Sequence, residues 1–179
     1  MQTAVIRIFN AAPERELAPG EALFLTADRV RKVFLVRAGV VLLERVTRIG
    51  GRILLQQARA GAVVSEASAY SDSYHCDATA GPEGARVAYL AIGEFHDRLA
   101  IDPGAMHGWA AGLAQAVQAA RLRAELRSLR TVSDRVDAWL GAQRALPRRG
   151  GWQDLAAELG VSREALYREL ARRRALGEA

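Results

Sequence analysis

The spacing of apolar and polar residues changes character twice along the chain. From Lys32 to Val46 the sequence is dense in β-branched and aromatic side chains, which predicts extended structure. Gly39 divides that run into two strands. Gly50-Gly51 is a tight-turn pair, and Arg52–Gln57 returns as the next strand. Pro19-Gly20, Gly61, Gly81-Pro82 and Gly84 supply further turn signals. Short strands with frequent glycine predict a barrel or roll over residues 1–102.

The period then becomes helical. Asp102 is suited to cap a helix that starts at Pro103. Met106, Trp109, Leu113, Ala116, Val117, Ala120 and Ala124 recur at spacings of mostly three and four, which predicts an amphipathic helix over residues 103–129. So narrow and Ala-rich a seam would let a second copy approach closely, as in a two-stranded coiled coil. The other reading packs the seam on the β domain. A third region spans residues 130–179. Ser133 is the expected cap of a helix through Val136, Trp139 and Leu140, and Leu146–Gly151 breaks it with Pro147 and paired glycines.

The segment from Trp152 to Leu170 carries the most specific pattern. Leu155, Leu159, Val161, Leu166 and Leu170 can share one small core, with Ala156 at the helix crossing. Gly160 tolerates the left-handed backbone of a sharp turn. Ser162 can cap the second helix with its hydroxyl. These features predict a helix-turn-helix. Its second helix would expose Arg163, Glu164, Tyr167 and Arg168 early, with Arg172, Arg173 and Arg174 behind them. Residues at that end of a recognition helix reach base edges in the major groove. Arginine grips guanine through two hydrogen bonds, and glutamate accepts from cytosine.

Charge agrees with this placement. Residues 1–120 hold 12 basic and 12 acidic side chains, whereas residues 121–179 hold 13 and 8, so the whole net charge of +5 lies in the last third. A neutral body with a basic appendage fits a polyanion partner, here double-stranded DNA, or the Arg and Ala bias of a GC-rich genome, and the helix-turn-helix pattern beside it selects the first. No apolar run approaches the roughly 20 residues needed to cross a bilayer. The start lacks the pattern of a signal peptide, so a cytoplasmic location and no membrane partner are expected. One cysteine, Cys76, excludes an internal disulfide framework and a Cys-rich zinc module.

On these residues the chain resembles the Crp/Fnr superfamily of bacterial transcription regulators. Ser162-Arg163-Glu164 with Arg168 matches the family's S-R-E-x-x-x-R recognition helix. Gly20-Glu21, Phe34-Leu35-Val36 and Gly39 resemble the first motif of its cyclic-nucleotide-binding roll, and Gly61 with Glu66 the later G…G-E segment. The resemblance implies an α+β chain: an antiparallel β-roll (1–102), a dimerisation helix (103–129) and an all-α helix-turn-helix domain (130–179). It implies DNA contacts by Ser162, Arg163, Glu164, Tyr167, Arg168 and Arg172, and a homodimer seam of Met106, Trp109, Leu113, Val117, Ala120 and Ala124. A near-palindromic operator and RNA polymerase are the further partners implied.

Three departures qualify it. Where the family has its R-[SA]-A-T phosphate clamp, this chain reads Cys76-Asp77-Ala78-Thr79, and Ser65 replaces the glycine before Glu66. An acid at the clamp would repel a cyclic phosphate, so cyclic nucleotide is not the expected effector. Tyr167 stands where a small residue is common. The hairpin wing that follows the recognition helix is missing before Ala179.

The roll's own chemistry leaves three readings open. Glu66, His75, Cys76, His96 and His107 are the available ligating groups for copper, zinc or haem. Neighbours on a strand face opposite ways, so His75 and Cys76 share one ion only across a bulge. Reversible oxidation of Cys76 is a second reading, and an ordinary core cysteine in an effector-independent regulator the third. Among other function classes, a cupin-like metalloenzyme lacks its closely spaced histidines here, and no catalytic constellation stands out. An interaction partner that blocks a related regulator by pairing with it is the remaining alternative.

Overall fold

A computed structural model of the chain describes residues 2–47, 49–143 and 145–177. The expectation of no wing before Ala179 falls on residues outside them. The chain forms two compact units, residues 1–114 and 115–179.

The first unit is built on one six-stranded antiparallel sheet. Its strands are β1 (Glu14–Leu17), β2 (Ala22–Phe24), β3 (Lys32–Val46), β4 (Arg52–Arg59), β5 (Val63–Val64) and β6 (Asp77–Ala91). The main path is β1-β6-β3-β4, with β2 added to β6 and β5 to β3. Val33 to Val36 are buried on both faces of β3, which is why the apolar run there does not alternate. Phe34 and Val36 join Val41, Leu43 and Val87 inside the roll. Val33 and Leu35 face a second cluster with Phe9, Phe95, Leu99 and Trp109.

That second cluster corrects the expectation of an unbroken β-rich region. Helix α1 (Gln2–Arg7) precedes the sheet, and α2 (Ile92–Ile101) follows β6. Phe95 and Leu99, one turn apart, are the buried stripe of α2.

Two glycine expectations also change. Gly39 does not divide β3, which runs unbroken through it with φ +73°. A Cβ there would lie 2.3 Å from the carbonyl oxygen of Gly84, so only glycine lets β3 and β6 pair this closely beside the bulge. Gly81-Pro82 and Gly84 do not end a strand either. On the β3 side Gly39 pairs with Ala85 and Val41 with Ala80, so residues 81–84 form an unmatched bulge inside β6. Pro82 is tolerated because a bulge asks for no ladder donor. The Gly50-Gly51 turn and the returning strand lie where the pattern puts them, with Thr47 N–H donating to the Gly51 carbonyl at 2.7 Å.

Helix α3 (Pro103–Ser128) starts in the first unit, where Asp102 Oδ1 accepts from Ala105 N–H at 3.0 Å. Its first turns bury Ala105 and Trp109. Residues 115–121 are exposed all round. Its last turns enter the second unit through Leu126, which meets α4 (Val132–Gln143), α5 (Trp152–Leu159) and α6 (Arg163–Leu176). The cap of α4 is Thr131 rather than Ser133: Thr131 Oγ1 accepts from Asp134 N–H at 3.0 Å, and Asp134 Oδ2 accepts from Thr131 N–H at 3.3 Å. Among the described residues no helix is long and apolar enough to cross a membrane.

Candidate nucleic-acid interface

The second unit is a helix-turn-helix in atomic detail. Leu155, Ala156 and Leu159 of α5 and Leu166 and Leu170 of α6 are buried together, with Val161 half-buried between the helices. Gly160 ends α5 in the left-handed region at φ +65°. Ser162 Oγ accepts from Ala165 N–H at 3.1 Å and opens α6. Turn, cap and core therefore fix which face of α6 is outward.

That outward face carries Arg163, Glu164 and Arg168, all exposed. The Glu164 carboxyl is held below the ordinary range by its own backbone N–H and by the Ser162 hydroxyl, with Arg163 and Arg168 adding to the effect. It is an ionised acceptor at neutral pH. Tyr167 is half-buried against Trp152, ring edge to face, at 4.9 Å. Arg172 extends its guanidinium back along its own helix to Glu169, at 2.8 Å.

Arg173 is a correction to the exposed basic face. It is 4% exposed. The spacing 166, 170, 173 continues the buried stripe of α6, so the guanidinium points inward. Its Nη1 donates to Asp137 Oδ1 at 2.6 Å, its Nε to Glu169 Oε1 at 2.7 Å and its Nη2 to the Ser133 carbonyl and hydroxyl oxygens at 3.1 and 3.0 Å. Ser133 thus serves α6 instead of capping α4.

Two further arginines serve the fold. Arg135 donates to the carbonyls of Arg127, Leu129, Leu159 and Gly160, and Arg127 donates to that of Ala157. Cations at helix C-termini satisfy carbonyls left without an intrahelical partner. The charge excess of this unit is therefore partly structural. Nothing in the composition separates these side chains from those that face solvent.

The seam residues of α3 separate. Trp109 is 5% exposed and lies 5.0 Å from the Phe95 ring, edge to face, and Leu113 packs on the same cluster. Those two belong to the core of the first unit, as the packed-seam reading has it. Met106, Val117, Ala120 and Ala124 are exposed.

The candidate effector residues of the roll do not converge. Tyr74, Cys76, Ala78 and Ala80 alternate inward, so His75 and Asp77 face the other way. Cys76 is 1% exposed within the roll core. Burial pushes its thiol up, and the Glu66 carboxylate pushes it further. Nδ1 of His75 is 2.8 Å from Ser68 Oγ. His96 Nε2 lies 2.9 Å from the Ala69 carbonyl oxygen, with its ring stacked on Tyr70. His107 is exposed on α3. Glu66 is largely buried, which raises its carboxyl. Among the described residues no three His, Cys, Asp or Glu side chains are grouped to hold a metal ion. The donor set does not fit a copper or zinc centre.

The position of the family's phosphate clamp is occupied by an internal bond. Asp77 Oδ1 accepts from both the N–H and the hydroxyl of Thr26 at 2.7 Å each. These bonds hold its carboxyl below the usual range. Ser65, in place of a glycine, sits at φ +74°, the left-handed region where glycine is at home.

No family model and no curated protein matches the sequence. Solved structures do match. CLP, a c-di-GMP responsive global regulator of Xanthomonas campestris, superposes with a TM-score of 0.67 at 18% identity, over 99% of this chain and 93% of its own. FixK2 of Bradyrhizobium japonicum gives 0.69 at 20% identity, over 93% and 86%. The fold is that of the Crp/Fnr regulators. Thermus thermophilus catabolite activator protein shows the same Crp/Fnr-like architecture, with a TM-score of 0.58 at 22% identity over 98% of this chain and 84% of that one. The likeness covers both the sheet and the helical unit.

Proposed function

We propose that this chain is a dimeric, sequence-specific DNA-binding transcription regulator rather than an enzyme. One observation carries the reading: α6 presents Arg163, Glu164 and Arg168 outward from a capped and fully packed helix-turn-helix. Donors and an acceptor set on one rigid helical face are what base-edge readout requires. The regulatory names of CLP, FixK2 and the catabolite activator protein support it. Dimerisation is assigned to the exposed stripe Val117, Ala120 and Ala124 of α3, whose small side chains admit a close neighbour. Two reading heads would then meet successive major grooves of a near-palindromic site, with RNA polymerase as the regulated machine.

For the roll, the geometry favours an effector-independent regulator over a cyclic-nucleotide, metal, haem or thiol sensor. Cys76 stands in the place of the clamp's cation with the acid Asp77 beside it, the Cys76 thiol is buried and raised, and the histidines are dispersed. Elemental analysis and the absorbance spectrum of untagged protein test this. Stoichiometric metal or a haem band would restore the sensor reading.

The whole proposal is tested by selection from a random duplex pool with the purified chain, followed by sedimentation of the complex. An enriched near-palindrome bound by two chains is expected. A homodimer that enriches no duplex would favour a blocking partner of a related regulator, and turnover of a small molecule dependent on added metal would favour an enzyme.

A further inference from the structure

Four side chains of the helix-turn-helix form a stack that ends on a base-reading residue. Arg174 lies over the Trp152 ring at 5.1 Å from its centroid. Trp152 meets Tyr167 edge to face at 4.9 Å and 76°. Tyr167 in turn lies one helical turn after Arg163, whose guanidinium carbon is 5.2 Å from the tyrosine centroid. Trp152 is fixed at its far end, where Nε1 donates to the Pro147 carbonyl at 3.0 Å.

We propose that Tyr167 is a positioning residue that holds the Arg163 guanidinium on its ring face, so that Arg163 meets the duplex already ordered. The proposal rests on the DNA-binding reading above. An exposed arginine loses much rotamer freedom when it docks on a base pair, and that loss weakens binding. A ring beneath the guanidinium removes part of the loss in the free protein, and the cation–π attraction keeps the group in place. Tyr167 can serve because its own ring is packed. It is half-buried, wedged on Trp152. Trp152 and Arg174 become supports of the reading head, a role that a solvated basic face would not assign to them.

The test uses full-length protein, the duplex enriched by selection, the same duplex changed at single base pairs, and a scrambled duplex. Five proteins are compared: wild type, Tyr167→Phe, Tyr167→Leu, Arg163→Ala and the double variant Tyr167→Leu/Arg163→Ala. Phenylalanine keeps the ring face, and leucine keeps apolar packing on Trp152 without it. Melting curves confirm that each variant is folded. Tyr167→Phe should bind within about twofold of wild type. Tyr167→Leu should lose about two- to fivefold per reading head, hence about four- to twenty-fivefold for a pair. Its discrimination should fall at the base pair that Arg163→Ala identifies, binding to scrambled duplex should hold, and leucine should add nothing in the Arg163→Ala background. Upfield ring-current shifts of the Arg163 side-chain protons should vanish in Tyr167→Leu and persist in Tyr167→Phe. Wild-type affinity in Tyr167→Leu, or losses that simply add in the double variant, would overturn the positioning role while leaving the DNA reading intact. A wild-type chain with no preference for any duplex would sink both.

Discussion

Asp137 and Arg173 lie 36 residues apart in sequence, and their carboxylate and guanidinium meet at 2.6 Å. The contact ties α4 to α6, the helix that carries Arg163, Glu164 and Arg168. Arg173 is buried, so its charge depends on Asp137, Glu169 and Ser133 for compensation. Removing one partner of such a pair leaves an uncompensated buried charge, at a cost of about 3–5 kcal/mol. Glu169→Ala, which leaves the buried Arg173 guanidinium with the exposed Asp137 as its one remaining carboxylate, should lower the stability of the helical unit toward that amount, measured by urea denaturation. Arg173→Met, which keeps the volume, should cost less, since apolar replacement of the cation avoids its desolvation.

The same network sets an acid limit. Arg172 and Arg173 hold the Glu169 carboxyl down to about 2, and Arg173 lowers that of Asp137. A carboxyl depressed by folding stabilises fully above its unfolded value of about 4.5 and loses that contribution as pH falls through the folded value. The helical unit should therefore weaken between about pH 4.5 and pH 2. Denaturation followed by the indole resonances of Trp139 and Trp152 at several pH values measures it. The slope should flatten in part in Arg173→Met, which loses the share of the linkage that Arg173 supplies and keeps that of Arg172. An equal slope in that variant would assign the acid sensitivity elsewhere.

The close pairing of β3 and β6 at Gly39 depends on a missing Cβ. Gly39 combines φ +73° with a site where any Cβ would meet the Gly84 carbonyl at 2.3 Å. Backbone strain of about 1–3 kcal/mol would add to an overpacking cost of similar size. Gly39→Ala should therefore destabilise the roll by about 3 kcal/mol or more, read from thermal unfolding of the sheet. Gly20→Ala serves as the contrast: it shares a positive φ but has open space around its Cβ position, so only the backbone cost should appear.

What the residue pattern revealed and what it hid follow from the range of the forces involved. The helix-turn-helix was legible because its determinants are local: a left-handed glycine at 160, a hydroxyl cap at 162 and leucines at helical spacing. The capping of α3 by Asp102 was legible for the same reason. Gly39 and Gly84 look like punctuation in the sequence because their reasons are distant: a Cβ at Gly39 would meet the Gly84 carbonyl of β6, and one at Gly84 the Leu17 carbonyl of β1. α2 was hidden because Phe95 and Leu99 show their purpose only against Phe9, Leu35 and Trp109. Arg173 looked like surface charge since its compensating carboxylate sits on another helix. His75 and Cys76 suggested a shared site by adjacency, which strand geometry undoes.

Burial also predicts how Cys76 behaves. The sulfur lies in the roll core, and desolvation with the Glu66 charge raises the thiol, so little thiolate forms at neutral pH. Alkylation of the native chain at pH 8 should be slower by orders of magnitude than in urea, where the thiol reacts freely. Peroxide at levels that oxidise exposed thiolates should leave both Cys76 and DNA binding unchanged. Rapid native labelling, or peroxide-dependent DNA release abolished in Cys76→Ser, would reinstate the redox reading.

Arg168 separates reading from folding. Its side chain is exposed on the outward face of α6, one turn beyond Glu164, away from the core leucines. Removing it should leave the helical unit folded, since exposed substitutions outside special features stay within about 0.5 kcal/mol. A bidentate contact to guanine discriminates by about 1–3 kcal/mol. Arg168→Ala should therefore lose roughly 5- to 150-fold in affinity for the selected duplex per reading head. Its binding to scrambled duplex, which rests on phosphate contacts, should change little, and the dimer should persist in sedimentation. A uniform loss on both duplexes with a shallower salt dependence would make Arg168 a phosphate contact instead. Unchanged affinity on the selected site would remove it from the interface.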